Sequence, residues 1–138
     1  WIAAGWKEYS RRLPRHMRLR LIEVPPARGS GVKARDLEGQ TLLARCPDNA
    51  VRVALDESGS SWSTAELARR MSRWLEHGRP VALLIGGAEG HGAGLRSACD
   101  ACWSLSRLTF PHMLVRVVLA EQIYRAWSLL SGHPYHRE

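Results

Sequence analysis

The end of the chain is dense in side chains that can bind phosphate, stack on a base or move a proton. These residues lie on a long predicted helix and in the segment after it: Arg116, Glu121, Arg125, His133, Tyr135, His136 and Arg137. Arginine forms bidentate contacts with phosphate, tyrosine and histidine stack on unpaired bases, and histidine titrates near neutral pH. Such a group of residues could hold a nucleotide and accept a proton from it.

The same residues also allow a structural interpretation. Glu121 and Arg125 have the i,i+4 spacing and the order that favour an ion pair along a helix, and the closing segment could dock on a partner subunit. We favour the structural role for Arg116 and Glu121. The functional role is favoured for three residues of the closing segment: Tyr135, His136 and Arg137.

A glycine-rich stretch, 86–94, lies between a predicted strand and a predicted helix. At this place α/β folds bind ligands, because backbone amides converge there and glycine lets a ligand approach closely. The stretch has neither the Gly-Lys-Ser/Thr of a P-loop nor the G-x-G-x-x-G spacing of a dinucleotide site. Taken alone, it is equally consistent with a ligand-binding loop and with a simple turn.

Two pairs of residues match zinc-ligand spacings: Cys99 with Cys102, and His133 with His136. The stretch between the pairs is much longer than in a zinc finger and contains the long helix. The two cysteines also lie in a predicted apolar helix, where cysteine acts as a small hydrophobic residue. We expect no metal site, with a zinc-dependent module as the alternative. Three further histidines are expected to be solvated: His16, His77 and His91.

Alternating helix and strand patterns must position these residues. A continuous apolar run at 81–85 is typical of a strand buried on both faces of a parallel sheet, and Ser63 and Glu66 form a capping box that begins a helix. The alternation indicates an α/β fold with a mostly parallel sheet flanked by helices. The predicted elements are helices at 2–13, 34–45, 64–77, 95–102 and 113–131, strands at 19–24, 51–55 and 81–85, and a turn at 56–59.

The final predicted helix, 113–131, carries apolar residues around most of its circumference. A helix that is apolar all round must be covered on more than one side. One cover is the sheet of the same chain, and the other is most easily a second copy of the chain. Gly132 follows as the expected C′ residue. The pattern therefore favours a homodimer.

The composition is that of a basic single domain. The chain has 138 residues, enough to bury a core, and a formal net charge of +7. This charge indicates a polyanionic partner, with solubility alone as the alternative. The sequence has no apolar run of bilayer-spanning length and no recognisable signal peptide, so we expect a cytoplasmic protein that does not act on a membrane. Its three cysteines do not indicate a disulfide framework.

Three segments carry a resemblance to a known family: LLIGG at 83–87, LTFPHMLVRVVLAEQIYRAWS at 108–128 and HPYHRE at 133–138. The chain resembles the small bacterial methyltransferases of the SPOUT class that modify N3 of a pseudouridine in large-subunit ribosomal RNA. The resemblance covers nearly the whole chain and is strongest from residue 81 onward. It implies a deep trefoil knot at the C-terminal end of the α/β sheet, a homodimer, S-adenosylmethionine as cofactor and the assembled ribosome as substrate.

The resemblance also implies which residues hold S-adenosylmethionine. Gly86 contacts it from the glycine-rich loop and Leu55 from the end of the preceding strand. The loop that forms the knot supplies the remaining residues: Leu105, Ser106, Arg107, Leu108, Thr109 and Phe110. The backbone of this loop is expected to bond the adenine edge while its leucines and phenylalanine enclose the ring. Plain core packing is an equal alternative for each of these apolar side chains.

For catalysis, the resemblance points to the closing segment. N3 of a uracil-type base carries a proton that must leave as the methyl arrives, so the enzyme needs a base or an electrostatic site for the anionic ring. His136 is the candidate base or orienting residue, and Tyr135 is expected to grip the flipped-out nucleotide. Arg125 and Arg137 are expected to hold phosphate or the developing charge. In the family, this segment faces the cofactor pocket of the other subunit.

The start of the chain departs from the family pattern. The family begins with a strand that carries a Val-Gly-Lys-like sequence, and nothing in this chain corresponds to it. Because the chain begins with Trp1 rather than Met, we expect residues 1–138 to form a single SPOUT domain without its first strand. Two other functional classes stay open, namely a non-catalytic relative that binds RNA or the ribosome, and the zinc-dependent module.

Overall fold

A computed structural model gives the fold of residues 1–25, 27–29, 31–86, 90–133 and 135. Helices and strands alternate along the chain from α2 onward, which confirms the predicted α/β class. The elements are α1 (Ile2–Ser10), a short 3-10 helix (Arg15–Met17), α2 (Gly31–Arg45), β1 (Val51–Ser61), α3 (Thr64–His77), β2 (Val81–Ile85), α4 (Ala93–Ser97), β3 (Ala101–Ser104) and α5 (His112–Ser131). Within these ranges, no helix has both the length and the apolar character to cross a membrane.

The described strands form a parallel sheet in the order β2-β1-β3. β1 lies in the centre, where its Val51 pairs with Val81 of β2 and its Val53 pairs with Ala101 of β3. Because all three strands run in the same direction, their carboxyl ends meet at one edge of the sheet. The predicted parallel sheet flanked by helices is confirmed, and the trefoil knot stays a prediction from the resemblance.

The central strand is longer than the sequence predicts. β1 continues past Leu55 to Ser61, and its pairing with β3 shifts between Leu55 and Ser60. The predicted turn at 56–59 is therefore wrong. Gly59 explains the geometry, because a Cβ at this position would lie 2.6 Å from the carbonyl carbon of Cys102. A residue without a side chain is needed for β3 to approach so closely.

The sheet has a hydrophobic core on each face. Side chains alternate along a strand, so Val53 and Leu55 point into the larger core, whereas Ala54 packs with Leu84 and Leu95 in the smaller one. Each fully buried leucine or isoleucine contributes about 1.5–3 kcal/mol. The larger core also contains residues of α3, β3 and α5: Leu67, Met71, Trp103, Leu119, Ile123 and Tyr124.

The strand β2 is less buried than its apolar sequence predicts. Leu84 is buried, while Val81, Ala82, Leu83 and Ile85 are only partly buried. The expectation of a strand buried on both faces is therefore wrong in degree. The position of β2 at the edge of the described sheet explains the difference, because an edge strand has a neighbour on one side only.

The helix α3 begins and ends as its sequence predicts. The Glu66 amide donates to the Ser63 hydroxyl at 3.1 Å, which is the cap expected of Ser63. At the other end Gly78 has a φ of 66°, a left-handed conformation that glycine adopts without strain. These two local signals mark the two ends of α3.

Three other predicted elements differ from the structure. The strand predicted at 19–24 is not formed, because no strand of the described sheet pairs with this segment. The predicted helix at 95–102 is also wrong, since α4 ends at Ser97 and Ala101–Ser104 forms strand β3. A short apolar run is compatible with both conformations, and pairing with β1 decides in favour of a strand. The first helix ends at Ser10 instead of residue 13.

The long helix α5 packs against α1 and α3. It starts at His112, one residue earlier than predicted, and ends before Gly132, whose φ of 75° matches the expected helix end. Gly5 lets α1 approach closely, because a Cβ there would lie 3.0 Å from the Val117 side chain. The buried residues of α5 begin at its eighth position: Leu119, Ala120, Ile123, Tyr124, Ala126 and Ser128. Residues 112–118 are exposed or only partly buried, and the second copy stays a prediction.

Candidate functional site

A cleft of about 600 Å³ opens at the edge of the sheet where the strands end. Leu55 of β1, Ile85 of β2 and Trp103 of β3 line it, together with the loop after β3 and the first turn of α5. The carboxyl ends of parallel strands are the usual ligand-binding edge of an open α/β sheet. The cleft therefore lies where this fold class binds small molecules.

Most residues implied for cofactor binding come together in this cleft. Arg107 is the exception, because it is exposed and does not line the cleft. Leu105 is partly buried and also packs against the larger core, whereas Leu108 is 70% exposed and open to a bound molecule. The implied residues that line the cleft are Leu55, Gly86, Leu105, Ser106, Leu108, Thr109 and Phe110.

Two serines hold the shape of the loop at 105–110. The Ser104 hydroxyl donates to the Ser106 carbonyl oxygen at 2.9 Å, and the Leu108 amide donates to the Ser106 hydroxyl at 3.0 Å. In the part of the chain that the structure describes, the amides of Thr109 and Phe110 form no hydrogen bond. These two amides can therefore donate to the polar edge of a molecule in the cleft.

The glycine-rich loop meets the cleft at both of its described ends. A Cβ at Gly86 would lie 3.0 Å from the carbonyl carbon of Gly90, and Gly90 itself has a φ of 72°. Glycine is therefore favoured at both positions, at Gly86 for close approach and at Gly90 for its backbone conformation. Residues 87–89 lie outside the described part of the chain.

His91 is buried beside this loop, with 5% of its surface exposed, so the expectation that it is solvated is wrong. Its Nε2 lies 2.8 Å from the Leu84 carbonyl oxygen. Because a carbonyl oxygen only accepts, Nε2 carries the proton and donates it. Burial lowers the pKa of His91, although the bond to Leu84 and the charge of Asp56 oppose this effect. His91 thus ties the end of the glycine-rich loop to strand β2.

Besides His91, four ionisable side chains of the cleft are missing from the predicted site: Asp56, Glu57, Arg96 and His112. The Asp56 carboxylate accepts from the Ser58 amide at 2.9 Å and from the Ser58 hydroxyl at 2.7 Å, and Arg96 lies 3.7 Å away. Burial alone would raise the pKa of Asp56, but these hydrogen bonds and the nearby positive charge lower it overall. A carboxylate directly after an apolar strand was the available sequence signal.

Trp103, which lines the cleft, has an unsatisfied donor in the core beneath it. The residue is 2% exposed, and its Nε1 is buried without a hydrogen-bond partner in the described chain. Trp62 stacks on it with ring centroids 4.8 Å apart, which fixes the plane of the indole. A buried unpaired donor costs about 1–3 kcal/mol, and this cost is not offset within the described chain.

The lining of the cleft combines three kinds of group. Apolar side chains can enclose a flat ring, free backbone amides can bond a polar edge, and an ionised carboxylate can balance a positive charge. In the described residues these roles fall to Leu108 and Phe110, to the amides of Thr109 and Phe110, and to Asp56. The combination suits a cationic small molecule that contains a heterocyclic ring.

A second group of predicted residues lies near the middle of α5 and after its end, and we call Glu121, Arg125 and Tyr135 the tail cluster. Arg125 Nε donates to Glu121 Oε1 at 2.9 Å, and the Tyr135 hydroxyl donates to the same oxygen at 3.1 Å. The Arg125 guanidinium carbon lies 5.0 Å from the centre of the Tyr135 ring. Burial and a hydrogen bond with Tyr9 raise the pKa of Tyr135. Tyr135 is therefore a neutral donor near physiological pH.

The ion pair predicted between Glu121 and Arg125 is present. Arg116, for which we favour a structural role, pairs with Glu23 at 3.2 Å, a partner that the sequence does not indicate. Tyr135 and Arg125 are therefore brought together through Glu121. The two other predicted catalytic residues, His136 and Arg137, lie outside the described residues.

The tail cluster lies farther along α5 than the cleft. His112 and Val115, at the start of this helix, line the cleft, whereas Glu121 and Arg125 lie near its middle. With a rise of about 1.5 Å per residue, Val115 and Arg125 are about 15 Å apart along the helix axis. Among the described residues, Arg125 and Tyr135 therefore do not line the cleft that holds the predicted cofactor residues.

The cysteines pack in the smaller core. Cys46, Cys99 and Cys102 contact that cluster, and burial raises the pKa of Cys99 to about 11. Its thiol is therefore protonated at neutral pH, whereas zinc binds the thiolate. Among the residues that the structure describes, no three His, Cys, Asp or Glu side chains form a group that could hold a metal ion. His136, a member of the zinc spacing, lies outside this range.

Comparisons with known proteins bear on this site. A sequence model described as a predicted SPOUT methyltransferase matches residues 1–136. The ribosomal RNA large subunit methyltransferase H of Thioalkalivibrio sulfidiphilus is 52% identical, with coverage of 100% of this chain and 91% of the relative. Proteins of the same name from Methylococcus capsulatus and Nitrosococcus oceani are 50% and 51% identical, covering 99% of this chain and 91% and 90% of their own lengths.

Proposed function

The chain belongs to the SPOUT methyltransferase family, and from this membership we propose that it methylates N3 of a pseudouridine in large-subunit ribosomal RNA, with S-adenosylmethionine as methyl donor. Relatives that are about half identical to this chain over 90–91% of their own length are named ribosomal RNA large subunit methyltransferase H, which supports this substrate class. A ribosomal substrate would place the protein in the cytoplasm. The observation that carries the cofactor assignment is the lining of the cleft.

The residues of the cleft fit S-adenosylmethionine. The amides of Thr109 and Phe110 can bond the adenine edge, and the Leu108 and Phe110 side chains can enclose the ring. The ionised Asp56 lies in the same cleft and can balance a positive charge. When bound, S-adenosylmethionine supplies a methyl group that is electrophilic without activation by the protein.

The protein then has to align the nucleobase and to remove one proton. Alignment of the reacting atoms can supply a large part of the rate enhancement, and here it depends on the loop at 105–110 and on the closing segment. We propose that His136 either accepts the proton from N3 or orients the nucleobase that loses it. Tyr135 is a neutral donor because its pKa is raised by burial, so we exclude it as the acceptor.

Tyr135, Arg125 and Arg137 are assigned to binding of the flipped-out nucleotide. Arg125 lies over the ring of Tyr135 and shares Glu121 with its hydroxyl. This arrangement fixes the Tyr135 ring, which can then stack on the base. Arg125 therefore acts through Tyr135 as well as through its own charge, and Arg137 is assigned to phosphate or to the developing charge on the ring.

A homodimer would complete the site. The helix residues of the tail cluster lie about 9 Å (Glu121) and about 15 Å (Arg125) along α5 from Val115 of the cleft, and we propose that the closing segment of one chain reaches the cleft of another. Residues 112–118 of α5 are exposed or only partly buried within one chain, and Met113 is 36% exposed. We propose that a second copy covers this surface and that each cleft receives the closing segment of its partner.

Mixing two impaired variants tests the shared site. Gly86→Val weakens the cleft, and His136→Ala damages the closing segment, so the assay uses a concentration of S-adenosylmethionine well below what the Gly86 variant needs. In a heterodimer of the two, one site carries both defects and the other carries neither, so random mixing should bring the activity to about one quarter of the wild-type activity. If each chain formed its own site, every site would carry one defect and the mixture would be no faster than the two variants measured separately.

Methyl transfer to ribosomes tests the reaction and its substrate. Ribosomes that contain pseudouridine at the target position should accept labelled methyl groups, and ribosomes with uridine at that position should accept far fewer. Equal labelling of both would refute the pseudouridine assignment. Binding of S-adenosylmethionine and ribosomes without any transfer would instead support the non-catalytic alternative.

A further inference from the structure

A second cleft, of about 280 Å³, opens at the opposite edge of the sheet. Val51, the first residue of β1, lines it, whereas Leu55 of the same strand lines the cofactor cleft. At about 3.3 Å per residue, these two strand positions are about 13 Å apart. We call this second cleft the basic cleft, because most of its polar lining is positively charged. None of the roles assigned above involves it.

One face of α3 supplies most of this lining. The helix residues of the basic cleft follow the i, i+3, i+4, i+7 spacing of a single helical face: Arg70, Arg73, Trp74 and His77. Arg79, which precedes β2, adds a third guanidinium group. The residue spacing of α3 thus places two arginines and one histidine on one side of the basic cleft, and Arg79 brings the third arginine.

The one acidic residue that lines the basic cleft, Asp100, is already bonded to the protein backbone. Its Oδ2 accepts a hydrogen bond from the Arg52 amide at 2.9 Å. Among the residues that the structure describes, no carboxylate forms an ion pair with Arg70, Arg73 or Arg79. The charge of Asp100 offsets one of the three arginines, so the lining of the cleft keeps a positive excess within the described chain.

Two of the arginines are held in place by the fold. Arg79 donates from Nε to the Asn49 carbonyl oxygen at 2.9 Å and from Nη2 to the Ala50 carbonyl oxygen at 3.3 Å. The Arg70 guanidinium lies 4.0 Å from the centre of the Trp62 ring, a stacked position that orients its plane. These contacts reduce the entropy that the two side chains would lose on binding a ligand.

We propose that the basic cleft binds the phosphodiester backbone of the ribosomal RNA substrate. Guanidinium groups match the geometry of phosphate oxygens, and contacts with phosphate fix the orientation of a nucleic-acid partner without reading its sequence. The proposal rests on the proposed function, which supplies a phosphate-rich substrate. Contact with RNA at both edges of the sheet would orient the protein on the ribosome, while the cofactor cleft receives a single nucleotide.

Charge reversal at one exposed arginine tests the basic cleft. Arg73 lines it and Arg69 does not, yet both are exposed residues of α3, so Arg69→Glu is the matched control for Arg73→Glu. Arg73→Glu should raise the KM for ribosomes about tenfold, since one charge-assisted contact is lost. The kcat at saturating ribosomes and the affinity for S-adenosylmethionine should not change. Arg69→Glu should change the KM less than twofold, as expected for a side chain outside the contact.

The salt dependence of ribosome binding gives a second measurement. Arg73→Ala should reduce the slope of log affinity against log salt by about one, because one phosphate contact is lost, and Arg69→Ala should leave the slope unchanged. Equal effects of the substitutions at 69 and 73 would overturn the proposal, since a general field of positive charge would then explain both. Competition by polyglutamate but not by a homopolymeric RNA would also overturn it. Failure of the proposed function is distinguishable, because the wild-type protein itself would then not methylate ribosomes.

Discussion

The cofactor cleft and the tail cluster are built in different ways. The cleft depends on backbone, namely on the close approach of Gly86 to Gly90 and on the free amides of Thr109 and Phe110 in the described chain. The tail cluster depends on side chains that bond one another, because Glu121 accepts from both Arg125 and Tyr135.

Because of this difference, we expect substitutions in the two regions to change different properties of the enzyme. Substitutions that change the shape of the backbone in the cleft should act mainly on the affinity for S-adenosylmethionine. Substitutions in the closing segment and the tail cluster should act mainly on the rate of methyl transfer, because these residues are assigned to the nucleobase and its proton. Separate measurements of the affinity for S-adenosylmethionine and of the rate of methyl transfer therefore test whether the cleft and the tail cluster have distinct roles.

The largest effect is expected for His136→Ala. Loss of the assigned proton acceptor should lower kcat by about 100-fold or more, while the dissociation constant of S-adenosylmethionine stays the same. Single-turnover transfer and calorimetric titration measure the two quantities. The exposed His16 provides the control, since His16→Ala should change neither. An unchanged kcat in the His136 variant would remove this residue from the mechanism.

Gly86→Val should have the next largest effect, and this effect should be on the affinity for S-adenosylmethionine. A Cβ at Gly86 already lies 3.0 Å from the Gly90 backbone, and overpacking of this kind costs about 1–3 kcal/mol. The affinity for S-adenosylmethionine should therefore fall about tenfold or more, measured by calorimetry. Gly94→Ala is the control, because nothing lies within 4 Å of a Cβ at that position. Equal affinities of the two variants would contradict the role of the glycine-rich loop.

Tyr135→Phe should have a smaller effect on rate. The substitution removes the hydroxyl, with its hydrogen bonds to Glu121 and Tyr9, and keeps the ring, which lies 4.7 Å from that of Tyr124. A loss of about three- to tenfold in kcat/KM is expected from one hydrogen bond to a charged group. Tyr135→Ala removes the ring as well and should be clearly slower than Tyr135→Phe. Equal rates for the two variants would argue against stacking on the nucleotide.

The smallest effect concerns the pH dependence of stability at His91. Its pKa in the folded protein is lowered from 6.5 by burial, so the unfolded chain binds the proton more readily. The contribution of His91 to the free energy of unfolding should therefore be fully present above pH 6.5, and it should be lost as the pH falls through the lowered pKa. Asp56 acts in a separate window, below its ordinary value of 3.8, because its pKa is also lowered.

Denaturant unfolding between pH 7 and pH 4 measures this dependence. His91→Gln keeps a donor for the Leu84 carbonyl oxygen and does not titrate, so the decrease in stability over this range should become shallower than in the wild type. His77→Gln is the control, since His77 is exposed and its replacement should leave the profile unchanged. A profile for His91→Gln that matches the wild type would show that His91 titrates normally.

Local sequence signals predicted some elements well. The cap of α3 at Ser63 and its end at Gly78 follow from backbone and side-chain chemistry within a few residues. The end of α5 at Gly132 follows in the same way. Such signals succeed because the groups that decide the conformation are close along the chain.

Other elements depended on partners far away in sequence. Residues 101–104 form a strand because β1 offers an edge to pair with, and the turn expected at 56–59 is absent because β1 continues beside β3. His91 is buried because it reaches the carbonyl oxygen of Leu84. None of these outcomes could be predicted from local composition, since each depends on a contact made only in the folded chain.

The amino-acid sequence by itself determined the α/β class, the family and the segments around the cleft, because hydrophobic periodicity, caps and an ordered block of residues are properties of the chain alone. Only the tertiary structure decided which of those residues line the cleft, which polar groups lie unpaired in it, and that α5 separates the cleft from the tail cluster. Distance, burial and hydrogen bonding depend on how segments remote in sequence are packed together, and no local pattern specifies that packing.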